Sequence, residues 1–141
     1  MIIIGVDPGK TTGVATYNLE TEEMVAMQIT FEDFGDWLNA SLFNLKDQEV
    51  VVGCENFIIR SIKFAQDAHW ALENIGITRY LCHCYEKRFI LQDPSNAKNF
   101  ANDSKLRVAK WYLPGKGHAN DAMRHVGLVM ATLKIRPPWA A

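Results

Sequence analysis

No stretch of about 18 consecutive apolar residues occurs in this 141-residue chain, so no membrane-spanning helix is expected. The start lacks the succession of basic, apolar and small residues that marks a secretory signal. A cytoplasmic protein with no membrane contact is expected. Cysteine is scarce, and Cys54, Cys82 and Cys84 have no fourth partner at metal spacing. That excludes both a disulfide framework and a zinc site, and the three read as reduced, mostly buried thiols. On a strand, Cys82 and Cys84 would share one face while His83 points to the other. Repeats and low-complexity segments are missing too. Basic residues are nearly missing from one half: residues 1–57 hold only Lys10 and Lys46 against ten acidic residues, whereas residues 58–141 hold thirteen basic against six acidic. The net charge of −1 hides this polarity. It suits a C-terminal half that contacts phosphates, or an ordinary solvated surface.

What is present is 48% hydrophobic residues, enough for a core in a single domain over 1–136, with 137–141 as a C-terminal tail. Residues 2–7 read as a buried strand, followed by the turn Asp7-Pro8-Gly9-Lys10. Thr12–Tyr17 and Met24–Thr30 give two more strands, best joined to the first as an antiparallel meander. Apolar residues at 34, 37/38, 42 and 45 predict a helix over 31–45. Val50–Glu55 gives a fourth strand, reached by a helical crossover and so parallel to the first. A second helix is expected from Ser61 to about Asn74, capped by Gly76, then a fifth strand over 79–85. A helical region follows Pro94, broken near residues 102–104. A last helix over about 119–134 carries the stripe Ala122, Val126, Val129, Met130 and Leu133, and Pro137-Pro138 ends the fold. The order βββαβαβα predicts an RNase H-like α/β fold: a central five-stranded mixed sheet, three antiparallel strands then parallel ones, flanked by helices.

Two of the apolar strands end on an acid, at Asp7 and Glu55, and the last helix opens on His118-Ala119-Asn120-Asp121. Carboxylates brought together at a sheet rim resist ionising side by side, which is costly unless a cation neutralises them. Mg²⁺ prefers oxygen ligands, and two such ions clamp a phosphodiester during in-line attack. The pattern points to metal-dependent phosphodiester cleavage, with Asp7 bridging two Mg²⁺ ions and Glu55 and Asp121 completing the set. Each acid has a plainer use, Asp7 as a turn former and Asp121 as a favourable charge at a helix start. His118 shares a helical face with Asp121 and would orient or deprotonate the attacking water, or ligate Mn²⁺. His125, one turn on, reads as a supporting or surface residue. The segment Gly5-x-x-x-Gly9-Lys10-Thr11 has one residue too few for a P-loop, and Pro8 lies inside it, so no nucleotide cofactor is expected.

Ile4-Gly5-Val6-Asp7-Pro8-Gly9 with Thr12-Gly13, then Glu55-Asn56-Phe57, Asp93-Pro94-Ser95-Asn96-Ala97-Lys98 and His118-x-x-Asp121-Ala122 together resemble the motifs of RuvC-type Holliday junction resolvases. The likeness runs in order along nearly the whole chain and suggests a compact phage or bacterial version. It departs in the shorter glycine pattern after Gly9, in Asn56 where glutamine is usual, and in Phe57 lying one position nearer the glutamate. The resemblance implies a structure-selective endodeoxyribonuclease that resolves Holliday junctions or other branched DNA, with Lys98 and Lys105 as DNA contacts. Arg107, Lys110 and Lys116, with Trp111 and Tyr112 among them, suit backbone contacts and base stacking. Arg60 and Lys63 would track the other strand, and Phe57 is the candidate wedge between bases. Phe64, Ala68, Ala71 and Ile75, with Trp70, give helix 61–75 an extra apolar face, from which a homodimer is expected, since a four-way junction needs two symmetric nicks. Two alternatives use the same residues: an RNase H-like ribonuclease on RNA–DNA hybrid or structured RNA, and a non-catalytic junction-binding protein.

Overall fold

The computed structural model describes residues 1–57 and 68–140. Five strands, β1 (Ile2–Asp7), β2 (Thr11–Asn18), β3 (Glu23–Thr30), β4 (Val50–Glu55) and β5 (Arg88–Gln92), form one sheet in the order β3-β2-β1-β4-β5. The first three pair antiparallel, while β4 lies parallel to β1 and β5 parallel to β4. The meander and the parallel crossover expected from the sequence are both present.

Side chains alternate across the central strands, so each strand feeds two cores. Ile2, Ile4, Val6, Val50, Val52 and Cys54 face one layer. There they meet helix α1 (Phe31–Asn44) through Phe34, Leu38 and Leu42, all fully buried. Each such side chain contributes about 1.5–3 kcal/mol of burial free energy. Ile3, Ala15, Tyr17 and Val51 face the other layer. It is covered by α5 (Gly117–Thr132), beside the short helices α3 (Pro94–Phe100) and α4 (Asp103–Val108), which are separated at the expected break.

One expectation fails. Helix α2 (Ala68–Cys84) does not end at Gly76, and residues 79–84 form its last turns rather than a strand. Its buried face is Ala71, Asn74, Ile75, Thr78 and Cys82, a helical spacing that polar residues conceal. Most of their polarity is met inside, although Asn74 Oδ1 is left without a hydrogen bond: Asn74 Nδ2 donates to Thr12 Oγ1 (2.7 Å) and Thr78 Oγ1 donates to the Asn74 carbonyl (2.7 Å). The exposed Gly76 costs about 1 kcal/mol relative to alanine in a helix, less than this packing supplies. The helix stops at Glu86, in the left-handed region at φ 57°, with the Lys87 amide donating to the Cys82 carbonyl (2.8 Å). Cys82 is therefore buried and Cys84 exposed, on a helix and not on one face of a strand. The start expected for this helix at Ser61 lies outside the described residues.

Helix α5 rests directly on backbone. A Cβ at Gly5 would sit 2.0 Å from the Ala122 carbonyl oxygen, and one at Gly13 would sit 1.9 Å from that of His118. In the register of the sheet, Gly13 lies opposite Asp7. Beyond Pro137-Pro138, Trp139 lies against Trp111 (centroids 5.7 Å) and Phe100 (5.7 Å), so the tail carries a core contact. Among the described residues no helix is long and apolar enough to cross a membrane.

Gly13→Ala has to push the start of α5 off β2. It is expected to cost about 1–3 kcal/mol in urea unfolding and to remove any activity that needs His118 beside Asp7. Gly76→Ala, at a position with open space, should leave stability equal or higher.

Candidate active site

Asp7 and Glu55 end neighbouring parallel strands, whose register runs Val6↔Cys54 at the last pair. Both follow the alternation of Ile3 and Val51, so both side chains point toward α5. Asp7 is only 5% exposed, and Glu55 is half-buried. Their carboxyls hydrogen-bond each other. Burial, that hydrogen bond, and the charges of Glu55 and Asp121 push the Asp7 carboxyl well above its ordinary value, against a smaller opposing effect of Lys98. Glu55 goes the other way. Burial alone would raise it, but hydrogen bonds from His125 and Asp7, with the fields of His125 and Lys98, outweigh burial and hold it below the usual glutamate range. A proton is thus favoured on Asp7 over Glu55.

The first turn of α5 brings His118 to this pair, with Nδ1 at 2.9 Å from Asp7 Oδ2. No side chain of α5 itself caps its first turn. Instead Gln28 Oε1, from β3, accepts the amides of His118 (3.0 Å) and Ala119 (3.4 Å). Asp121 is near enough for its charge to act on Asp7, but its Oδ1 accepts from Arg124 Nε at 3.1 Å. Arg124 is buried and also donates to the Ala101 carbonyl (2.8 Å) and to Asp103 Oδ1 (2.5 Å). Among the described residues no set of three His, Cys, Asp or Glu side chains closes on one point as a metal cage. Asp7 and Glu55 make the tight pair, with His118 attached and Asp121 tethered one step away.

Two supporting residues escape the sequence reading, and a third, His125, reads there as either supporting or surface. Arg124 stands three residues after Asp121, a spacing that places the two on one helical face. Gln92, on β5, pairs in register with Glu55 and reaches His125. His125 is 1% exposed, so it is no surface residue, and its Nε2 lies 3.4 Å from Glu55 Oε1.

The expected DNA contacts are dispersed. Lys98, exposed at the end of α3, acts on Asp7, Glu55 and Asp103 through its charge. With Asn102, Asp103, Ser104, Arg107 and Arg124 it lines a polar depression. Lys105 Nζ is engaged by the Phe100 carbonyl (2.8 Å), and the Arg107 guanidinium lies over Tyr112 (4.2 Å). Lys110 and Lys116 are exposed. Trp111 is not available for base stacking, because it is buried against Tyr17 (5.2 Å). Phe57 packs on the α1–α2 core. Arg60 and Lys63 lie outside the described residues.

These shifts set the pH dependence. A raised Asp7 value means that its stabilisation is complete below the ordinary 3.8 and is lost as pH rises through the folded value. The lowered Glu55 value does the reverse: its contribution is present above 4.5 and is lost only as pH falls through the folded value. As pH rises from about 5 through the folded Asp7 value, the metal-free protein should therefore lose stability through Asp7, and in the alkaline range the raised Cys54 and Cys82 thiols add to the loss. Asp7→Asn, which keeps a donor toward Glu55, should abolish the Asp7 part of that loss and raise Tm near neutral pH by about 3 °C or more in metal-free calorimetry.

No protein-family model and no curated protein matches the sequence. Among solved structures the chain is similar to T. thermophilus RuvC in complex with Holliday junction substrate, with a TM-score of 0.67, 16% identity, and cover of 94% of this chain and 96% of that one. A second structure, of Thermus thermophilus RuvC, aligns with a TM-score of 0.62 and 18% identity, covering 95% of this chain and 97% of that one. The fold expected from the sequence, an RNase H-like mixed sheet flanked by helices, is thus shared with these RuvC structures.

Proposed function

We propose that this chain is a structure-selective endodeoxyribonuclease that cuts Holliday junctions or other branched DNA by metal-dependent hydrolysis. One observation carries the reading: two carboxylates, Asp7 buried and Glu55 half-buried, end adjacent parallel strands, with a histidine fixed to the first. Such a pair, in which burial and mutual repulsion disfavour ionisation of Asp7, fits a hard divalent cation. The support from relatives is the RuvC fold, one example of which is bound to a Holliday junction.

In this reading Asp7, Glu55 and Asp121 hold Mg²⁺, or Mn²⁺ with His118 as a ligand. When bound, the ions would stabilise charge on the phosphoryl oxygens and activate water. The chain's own groups do the rest. Asp7 holds His118 by Nδ1, so the ring is aimed from the half-exposed end of the site and can take the proton of the attacking water at Nε2. Arg124 holds the Asp121 carboxylate, limiting its rotation. Lys98, with Arg107, Lys110 and Lys116 on the same C-terminal stretch, attracts the DNA backbone, and Lys105 lines the same surface.

A homodimer would supply the second, symmetric cut. The stripe expected to make it does not all face outward, since Ala68, Ala71 and Ile75 are buried in their own core. On α2 the exposed apolar residues are Leu72 and Tyr80, so these would form the contact.

With Mg²⁺, labelled four-way junction should receive paired symmetric nicks, while linear duplex and RNA–DNA hybrid stay intact. Asp7→Asn should abolish the nicks, and His118→Ala should slow them by about 10²–10⁴-fold. Cleavage of the hybrid alone would replace the reading with a ribonuclease, and junction binding without cleavage in Mg²⁺ or Mn²⁺ would replace it with a junction binder. Sedimentation at micromolar concentration should give the mass of two chains, with Leu72→Glu shifting it toward one. A single-chain mass for the wild type would overturn the dimer.

A further inference from the structure

Behind Glu55 stands a second, wholly buried polar pair that the cleavage chemistry does not itself require. Gln92 is 5% exposed and His125 1%. They come from different elements, β5 and α5, and meet only because both lie on the face of the sheet that carries Glu55. Gln92 is the register partner of Glu55 on the adjacent strand. The space is made by Gly53, also on that face, where a Cβ would sit 2.5 Å from Val129 Cγ2 and 2.8 Å from the Gln92 side-chain amide. A side chain at residue 53 would displace Gln92, so the pocket is shaped for it.

Hydrogen-bond bookkeeping fixes the direction of this pair. The Gln92 amide is satisfied in one orientation: its nitrogen donates to the His125 carbonyl (3.1 Å) and to His125 Nδ1 (2.9 Å), and its oxygen accepts the Val129 amide (3.2 Å). A nitrogen that accepts from Gln92 carries no proton. The ring proton is then on Nε2, a buried atom that makes no hydrogen bond of ordinary geometry and toward which Glu55 Oε1 stands at 3.4 Å. The opposite tautomer would face a bare nitrogen lone pair to a carboxylate.

We propose that Gln92 fixes the His125 tautomer so that Nε2–H donates to one oxygen of Glu55, making Gln92 and His125 positioning residues that aim the other oxygen of Glu55 at a divalent cation. The pair would act as the outer support of a metal-ligating carboxylate, and loss of such support commonly weakens metal binding by about 10–100-fold. This inference rests on the proposed role of Glu55 as a metal ligand.

The first measurement needs no variant and no metal: long-range ¹H–¹⁵N correlation of the His125 ring in the metal-free protein. The expected signature is a protonated Nε2 and an unprotonated Nδ1. A proton on Nδ1, alone or together with one on Nε2, overturns the inference. Mn²⁺ titration of the DNA-free protein is the second. Gln92→Met and His125→Leu should each weaken Mn²⁺ binding about 10–100-fold, and His125→Gln, which keeps an N–H near the position of Nε2, should recover most of it. Unchanged Mn²⁺ affinity in Gln92→Met and His125→Leu, with wild type still cleaving junctions, would reduce the pair to core packing and overturn the positioning role alone. Wild type that neither binds Mn²⁺ nor cuts any substrate would instead bring down the nuclease reading, and the positioning role with it.

Discussion

The molecule depends on one close approach, that of α5 to the bare backbone of the sheet. Gly5 on β1 and Gly13 on β2 leave no Cβ between strand and helix, so carbonyls of Ala122 and His118 come within a distance that any side chain would block. A helix packed on ordinary side chains stands about 10 Å from a sheet. At that separation the His118 ring could not reach 2.9 Å from Asp7. Gly53 on β4 extends the same trough to Gln92 and Val129. Glycine inside a strand is destabilising by about 0.5–1 kcal/mol each, and here that cost is offset by the contacts of a helix buried through most of its length.

The trough also decides the electrostatics. A helix pressed onto the sheet excludes water from Asp7, and two carboxyls in a dry site cannot both ionise. The result is an Asp7 carboxyl held well above its ordinary value, a Glu55 held below its own with His125 behind it, and an Asp121 drawn aside by Arg124. Each acid therefore has a different partner, although all three lie near one another. In the metal-dependent reading a cation would offset the burial and charge repulsion that hinder ionisation of Asp7.

Most of the fold was legible in the sequence where apolar residues form unbroken runs or a clear helical stripe: β1, β4, α1 and α5 all lie where the pattern placed them. Helix α2 and β5 were not, because Asn74 and Thr78 sit at core positions and interrupt the apolar period, and a helical glycine imitated an end. Long-range bonds to Thr12 and Gly9 supply their partners, and no local pattern reveals those. Asp7, Glu55 and His118 could be read from their places at the ends of elements. Gln92 and His125 could not, since a glutamine closing a short strand and a histidine on an apolar helix have many ordinary uses. The signal that existed was the glycine inside each apolar run, at Gly5 and Gly53, which marks close approach of another backbone. Trp111 misled for the opposite reason: a tryptophan among basic residues looks like a stacking platform, but Tyr17 and Trp139 enclose it.

The sheet makes part of the charge asymmetry of the chain spatial. Helix α1, with Glu32, Asp33 and Asp36, packs on one face together with α2 of the C-terminal half, while α3, α4 and α5 lie toward the other. Basic residues elsewhere are absorbed locally: Lys87 is tied to the carbonyls of Lys46 and Gln48, and Arg79 lies over Phe89. Lys98 differs, since its field reaches Asp7, Glu55 and Asp103 without any of them closing an ion pair on it among the described contacts. A cation so placed softens the repulsion between the acids and attracts a phosphate to the same rim. In the proposed reading, a phosphate drawn by Lys98 would meet the sheet edge where Asp7 and Glu55 end their strands beside His118.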